Sequence, residues 1–274
     1  MNDVQRYPAS YDFSGRTAIV TGAAQGIGNR IAVRLAQSGA TVVVADRSAD
    51  MAKQAAEEIT AAGFEAKAYH VDVTDAAEVD GLMSFADGDT HQLSILVNNA
   101  AISTTPIIED LDEQSWRTVV DVNLTGPFLT SKAAVPYLRS NGGGKIVNIA
   151  SVAAKRISYN ASASYTASKA GLLAFTRHLA YEVARDHIHV NAVCPGPVSS
   201  PMLERTATTE TIDARRSSVP AGRLTTPDDQ ADLVMFLTSS SSDMITGSAI
   251  DVDGGALLGW YDVATYFDRR VTHG

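Results

Sequence analysis

Tyr165 and Lys169 place a phenol and an ammonium four residues apart, at the end of residues 151–169, SVAAKRISYNASASYTASK. On a helix, side chains at i and i+4 share a face one turn apart. A phenol with an ordinary pKa of about 10 is a poor base at neutral pH. A fixed cation beside it favours the phenolate and lowers that value, so such a pair can take the proton of an alcohol. Tyr and Lys at this spacing also occur on many amphipathic helices. The pair gains meaning from the elements upstream.

Residues 17–21, TAIVT, form a short β-branched run that reads as a buried parallel strand ending at Gly22. Gly22, Gln25, Gly26, Ile27 and Gly28 then open a helix with Ile31, Ala32, Leu35 and Ala36 on one face. Glycines at a strand–helix turn let a backbone approach a pyrophosphate lying on the helix N-terminus. The spacing is G-x-x-x-G-x-G rather than G-x-G-x-x-G, and a turn that binds nothing is the alternative. Residues 41–46, TVVVAD, give a second strand that ends in Asp46. A carboxylate there can accept both ribose hydroxyls of an adenosine and repels a 2′-phosphate, which favours NAD over NADP. Arg47 could pair with such a phosphate or stand as a solvated charge at the strand end.

A third strand over 65–71 closes at Asp72, placed for an adenine amino group or, equally, for a turn or helix cap. Strand four, 93–97, leads into Asn98, Asn99 and Ala100. A long helix over 112–138 carries Asn123 and is interrupted at Gly126-Pro127. Strand five, 145–150, delivers Ser151 at its carboxyl end, the side on which open α/β sheets bind ligands. Strand six, 188–193, runs into Cys194-Pro195-Gly196-Pro197-Val198 and Ser200. Residues 202–222 read as irregular polar chain, a candidate lid, before a helix over 227–238 and a last strand over 249–252.

With 274 residues, 45% hydrophobic and 19% charged, the chain suits one soluble α/β domain. That domain spans 15–258, between an arm over the surface, 1–14, and a tail, 259–274, carrying Trp260, Tyr261, Tyr266 and Phe267. The tail is expected to bury its aromatics against a neighbouring subunit or its own domain. A net charge of −9 argues against nucleic acid and anionic membranes as partners. No apolar run is long enough to span a bilayer, and the lone Cys194 suits a reducing compartment, so a cytoplasmic location is expected. His187 and His189 lack further ligands nearby in sequence, and Ser151 lacks the G-x-S-x-G elbow of a hydrolase, so neither a metal nor a serine nucleophile is expected.

Together, Thr21-Gly22-x-x-x-Gly26-Ile27-Gly28, Asn98-Asn99-Ala100, Asn123, Ser151, Tyr165-x-x-Ser168-Lys169 and Pro195-Gly196 resemble the short-chain dehydrogenase/reductase family over about residues 14–255. The resemblance implies a three-layer, doubly wound (Rossmann) parallel sheet of about seven strands in an α/β domain. It also implies a homotetramer or dimer built on the helices of Asn123 and Tyr165. It makes Tyr165 the general acid/base, with Lys169 lowering its pKa and holding the nicotinamide ribose. Ser151 would bond the substrate oxygen, and Asn123 would fix a relay water. The implied cofactor site comprises Gly22, Gln25, Gly26, Ile27, Gly28, Asp46, Arg47, Asp72, Val73, Asn99, Ala100, Tyr165, Lys169, Pro195, Gly196, Val198 and Ser200. The Ser–Tyr interval is one residue longer than the commonest family spacing, so the shape of that loop is left open. NAD-dependent oxidation of a secondary alcohol (a polyol, sugar or hydroxy acid) is the expectation. An NADPH-dependent carbonyl reductase such as a 3-oxoacyl-carrier-protein reductase, or a non-catalytic nucleotide-binding regulator, are the alternatives. Lys155, Arg156, Arg205, Arg215 and Arg216 are candidates for holding an anionic substrate.

Overall fold

The computed structural model describes residues 11–88, 92–158, 161–199 and 208–259, with residues 265, 266 and 268. The apolar runs form seven strands: β1 Arg16–Thr21, β2 Thr41–Asp46, β3 Ala66–His70, β4 Gln92–Asn98, β5 Gly144–Ile149, β6 Ile188–Pro195 and β7 Ala249–Val252. They pair in parallel in the order β3-β2-β1-β4-β5-β6-β7. The expected doubly wound sheet is therefore present, and its order reverses between β1 and β4.

Parallel strands need crossovers, and these are helical. They are α1 Gly26–Gln37, α2 Ala49–Ala61, α3 Ala76–Ala86, α4 Glu113–Val120, α5 Gly126–Ser140, α6 Ala163–Val183, α7 Thr209–Ser217 and α8 Pro227–Thr238. Because both faces are covered, central strands lack a polar face. Ala18, Val20, Val42 and Val44 pack with Ile31, Leu35 and Ile59 on one side. Ile19 and Val43 pack with Leu82, Met83 and Leu138 on the other.

Three details differ from the sequence reading. The long helix is interrupted one turn before Gly126-Pro127, by a π-helical turn over Asp121–Thr125. Pro127 explains why, since it has no N–H to give to the carbonyl four residues back, that of Asn123. Gly126 N–H reaches across to Asp121 O instead. The described part of the segment 202–222 is not irregular, because α7 occupies Thr209–Ser217. Thr208 caps it by accepting from Thr211 N–H at 3.3 Å. Lastly, Phe13 is buried in the core and its N–H donates to Ser38 O at 2.7 Å, so the end of the arm is part of the packed domain.

Candidate active site

The reversal of strand order between β1 and β4 leaves a crevice at the carboxyl ends of the strands. A cavity of about 430 Å³ lies there. Gly22, Gln25 and Ile27 line it from the first turn, Asp46 and Arg47 from the end of β2, and Asp72 and Val73 from beyond β3. Asn99 and Ala100 line it from beyond β4. The sequence reading missed Ala45, Val71, Ile102 and Val122, which complete the walls together with Ala101. Their apolar side chains carry no chemical signal that spacing could expose.

Gly28 shapes the turn without lining the cavity. A Cβ on it would stand 2.4 Å from both Gly22 O and Asn99 Nδ2. That space is taken because the Asn99 amide donates to Thr21 O at 3.0 Å and to Gly22 O at 2.9 Å, tying β4 to the glycine turn. Asn99 thus acts through its side chain on the backbone of the glycine turn. The Thr21 hydroxyl, also missed, accepts from Asn99 N–H at 3.0 Å and Ala100 N–H at 3.1 Å. A hydroxyl residue closing a strand just before glycine was the available signal.

The residues fit a dinucleotide. The α1 N-terminus has no side-chain cap and no acid in its first turn, so its N–H groups can receive a phosphate. Asp46 is held in place by Ala24 N–H on Oδ2 at 3.2 Å and Ser48 N–H on Oδ1 at 3.0 Å, which leaves each oxygen able to accept again. Of the readings given to Asp72, the structure shows the turn. Asp72 lines the cavity, and its Oδ1 accepts from Thr74 N–H and Oγ1 in a turn that holds its pKa below the usual carboxylate range. The cap of α3 is Asp75 instead.

The reacting groups gather at the end of β5. Tyr165 stands in the first turn of α6, and the nearby Ser151 hydroxyl acts on its phenol to lower its pKa. Ser151 Oγ accepts from Ala153 N–H at 3.0 Å, capping a 3₁₀ turn over Val152–Ala154. Lys169 is 2% exposed, and its Nζ lies 5.8 Å from the Tyr165 ring centre and donates to Ile149 O at 2.7 Å. Burial pulls its pKa down to about 8. Tyr165 departs from the expected direction: burial raises its pKa, and the Ser151 hydroxyl lowers it only in part. Desolvation of the phenolate dominates in the free protein. Asn123 is buried on the π turn, accepts from Ile102 N–H at 2.9 Å, and donates to Ile102 O at 2.9 Å and Ser168 Oγ at 3.2 Å.

Pro195 and Gly196 lie at the carboxyl end of β6, next to β5, where Gly196 N–H donates to Val252 O at 3.0 Å. Val198 bridges to Thr225, and none of the three lines the cavity. Ser200 and Arg205 lie outside the described residues, as do Trp260, Tyr261 and Phe267. Lys155 and Arg156 turn toward β7 and the loop after it, where Lys155 Nζ meets Asp251 Oδ1 at 2.5 Å and Arg156 Nη1 meets Ala256 O at 2.7 Å. On α7, Arg216 pairs with Asp213 at 3.1 Å. Among the described residues no group of His, Cys, Asp or Glu could hold a metal, and no helix is long and apolar enough to cross a membrane.

Comparison with known proteins agrees with this geometry. Residues 22–256 match the profile of a family described as enoyl-(acyl carrier protein) reductase. The chain is 34% identical to the 3-oxoacyl-[acyl-carrier-protein] reductase of Thermotoga maritima, over 89% of this chain and 98% of that protein. It is 36% identical to the 2-dehydro-3-deoxy-L-rhamnonate dehydrogenase (NAD(+)) of Sphingomonas sp., over 89% of this chain and 96% of that one. The crystal structure of a short-chain type dehydrogenase/reductase from Mycobacterium marinum superposes with a TM-score of 0.85 at 33% identity, covering 91% of this chain and 98% of the other.

Proposed function

The chain belongs to the short-chain dehydrogenase/reductase family, and from that premise we propose that it oxidises a secondary alcohol to a ketone with NAD⁺. The observation that carries the chemistry is the buried Lys169 ammonium 5.8 Å from the Tyr165 ring centre, with Ser151 at the end of β5, the strand next to β4, whose following residues line the cavity of about 430 Å³. Removing two hydrogens from a carbinol requires a base for the O–H proton and an acceptor for the C–H hydride. When bound, the nicotinamide ring supplies that acceptor. Tyr165 takes the hydroxyl proton, and Ser151 holds the carbinol oxygen against it. Lys169 keeps a positive charge behind the phenol as it ionises, and at a pKa of about 8 it can also release a proton near neutral pH.

Asp46 supports the choice of NAD⁺. Its carboxylate lines the cavity wall where the adenosine ribose would lie, with two N–H donors fixing it. A 2′-phosphate there would meet a like charge. The relative from Sphingomonas, whose name specifies NAD(+), is a dehydrogenase of a sugar acid. The substrate class proposed is accordingly a polyol, sugar or hydroxy acid. Steady-state kinetics over a panel of these with both cofactors test it. The expected result is a kcat/KM for NAD⁺ at least tenfold above that for NADP⁺, about 1.4 kcal/mol of discrimination, and its erosion in Asp46→Ala. Equal use of the two cofactors overturns the assignment.

One observation favours the second reading, an NADPH-dependent carbonyl reductase. Arg47 lines the same wall, and a guanidinium there can pair with a phosphate. For assembly, we propose a homotetramer or dimer through α4, α5 and α6. Trp116, Phe128 and Tyr181, the last 89% exposed, stand on those helices with their rings toward solvent. Light scattering that returns a monomer overturns it.

A further inference from the structure

We propose that Lys155 and Asp251 form a strap that positions Ser151, with Arg156 as its second tie. Ser151 must present its hydroxyl to Tyr165, yet the chain that follows it is a single 3₁₀ turn over Val152–Ala154. Such a turn has poor hydrogen-bond geometry and does not hold its own shape. Apolar packing anchors the turn itself, where Ala154 packs against the cluster of Leu172, Leu173 and Cys194, but not the chain after it. Ala153 is buried, but Ile157 is 85% exposed.

Two charged side chains make up the difference. Lys155 Nζ donates to Asp251 Oδ1 at 2.5 Å and to Ala249 O at 3.3 Å, both on β7. Arg156 Nη1 donates to Ala256 O at 2.7 Å, in the turn just beyond β7. That turn is itself fixed, since Asp253 accepts from Gly255 N–H and Leu257 N–H, each at 2.8 Å. The strap also returns to Ser151 through β6. Cys194 is the register partner of Asp251, and its neighbour Val193 accepts from Ala150 N–H at 2.8 Å, one residue before Ser151. The turn after Ser151 is thus tied to β7 by Lys155 and Asp251, and the chain just before it is tied to β6 by its backbone.

The pair suits a positioning role better than a stabilising one. Its side chains are 31% and 32% exposed, and ion pairs this open to water add little to global stability. What the strap fixes is the direction of one hydroxyl, on which proton transfer depends steeply. The inference rests on the dehydrogenase reading above only for its kinetic consequence.

The test uses Lys155→Met, Asp251→Ala, the double variant and Lys155→Arg. Backbone amide exchange of residues 151–156 in the free protein needs no substrate. It is expected to quicken at least tenfold in each single variant, with the rest of the sheet unchanged and Lys155→Arg within twofold of wild type. With the panel alcohol that the wild type oxidises, kcat is expected to fall about tenfold, with KM and the NAD⁺ dissociation constant within twofold. The double variant should be no worse than either single one, because both break the same contact. Exchange at 151–156 that stays within twofold, or that quickens equally across the sheet, overturns the proposal. So does a kcat unchanged in the single variants. If the wild type oxidises nothing in the panel, the dehydrogenase reading falls, and the exchange data still decide the strap.

Discussion

The two ends of the cleft are built on opposite principles. At the end proposed for the adenosine, side chains are absent or short, so that backbone N–H groups and one carboxylate can face a ligand. Gly28 leaves room for the Asn99 amide to reach Thr21 O and Gly22 O, and the uncapped start of α1 lies open to an anion. At the carbinol end, function depends on burying groups that would rather be in water. Lys169 is driven to a pKa of about 8 and Tyr165 above its ordinary value. The first end is a matter of shape and costs the fold little. The second is a store of unfavourable desolvation, which brings the proton affinity of Lys169 closer to the working pH and moves that of Tyr165 away from it.

The sharpest way to break the comparison is at the carbinol end. Tyr165→Phe keeps the ring and removes the proton acceptor, and kcat is expected to fall about 10³-fold while NAD⁺ binding survives. The wild-type pH profile should carry the same signature. A base must be deprotonated to act, and burial holds this phenol above its usual range, so kcat/KM for oxidation should climb from pH 7 to pH 10 without a plateau. A flat profile, or a variant keeping more than a tenth of the activity, would mean that another group is the base.

At the other end the corresponding change acts on the fold first. Gly28→Ala puts a methyl 2.4 Å from a backbone carbonyl oxygen and from the Asn99 amide, a contact that only movement of the turn can relieve. Overpacking of this kind costs about 3 kcal/mol, so the expected result is a lower midpoint in urea together with loss of NAD⁺ binding. A variant with wild-type stability and affinity would show that the turn is looser than its contacts imply.

Lys169→Met examines the stored desolvation directly, and the sign is opposite to that of most active-site changes. The folded pKa of about 8 lies below the ordinary 10.5, so the unfolded chain binds more protons between those values. The penalty is fully present below pH 8 and fades as pH rises toward 10.5. Removing the ammonium should therefore stabilise the free protein at pH 7 by about 2 kcal/mol, after allowing for the hydrogen bond lost at Ile149 O. The gain should shrink above pH 8, and activity should be lost throughout. Chemical denaturation at pH 7 and pH 9.5 checks it; a destabilised variant at pH 7 would mean that the ammonium supports the fold.

The adenosine end was also the more legible from sequence, for the same reason. Strand runs ending in glycine or an acid announce Gly22, Asp46 and Asp72, because parallel strands bind ligands where they end. The i+4 spacing placed Tyr165 and Lys169 on one helix face, but burial decides their proton affinities, and burial is a property of the packed α6 and β5. The π turn at Asn123 had a local sign, Pro127 four residues later, that composition alone did not turn into a position. Helix α7 was hidden because its sequence, TETIDARRS, is polar on every face and so lacks the apolar stripe by which helices are recognised. The contact of Lys155 with Asp251 crosses half the sheet's topology and leaves no mark in spacing.

The smallest expected effect on stability separates two glycines of one motif. Gly26 differs from Gly28 in both respects that matter: its φ is +62°, and a Cβ built on it would meet nothing within 4 Å. Only backbone conformation constrains it within the fold. Asn tolerates the left-handed region better than other side-chain-bearing residues, so Gly26→Asn should lose no more than about 1 kcal/mol, less than Gly28→Ala by a wide margin. If the first turn of α1 receives the pyrophosphate, though, the new side chain stands in the ligand's place. The dissociation constant for NAD⁺, read by titration calorimetry, is then expected to rise at least tenfold while the urea midpoint barely moves. Gly28→Ala should lose stability and affinity together, and Gly26→Asn affinity alone. Should Gly26→Asn instead bind NAD⁺ as the wild type does, the phosphates lie elsewhere, and the open start of α1 is a feature of the fold without a part in binding.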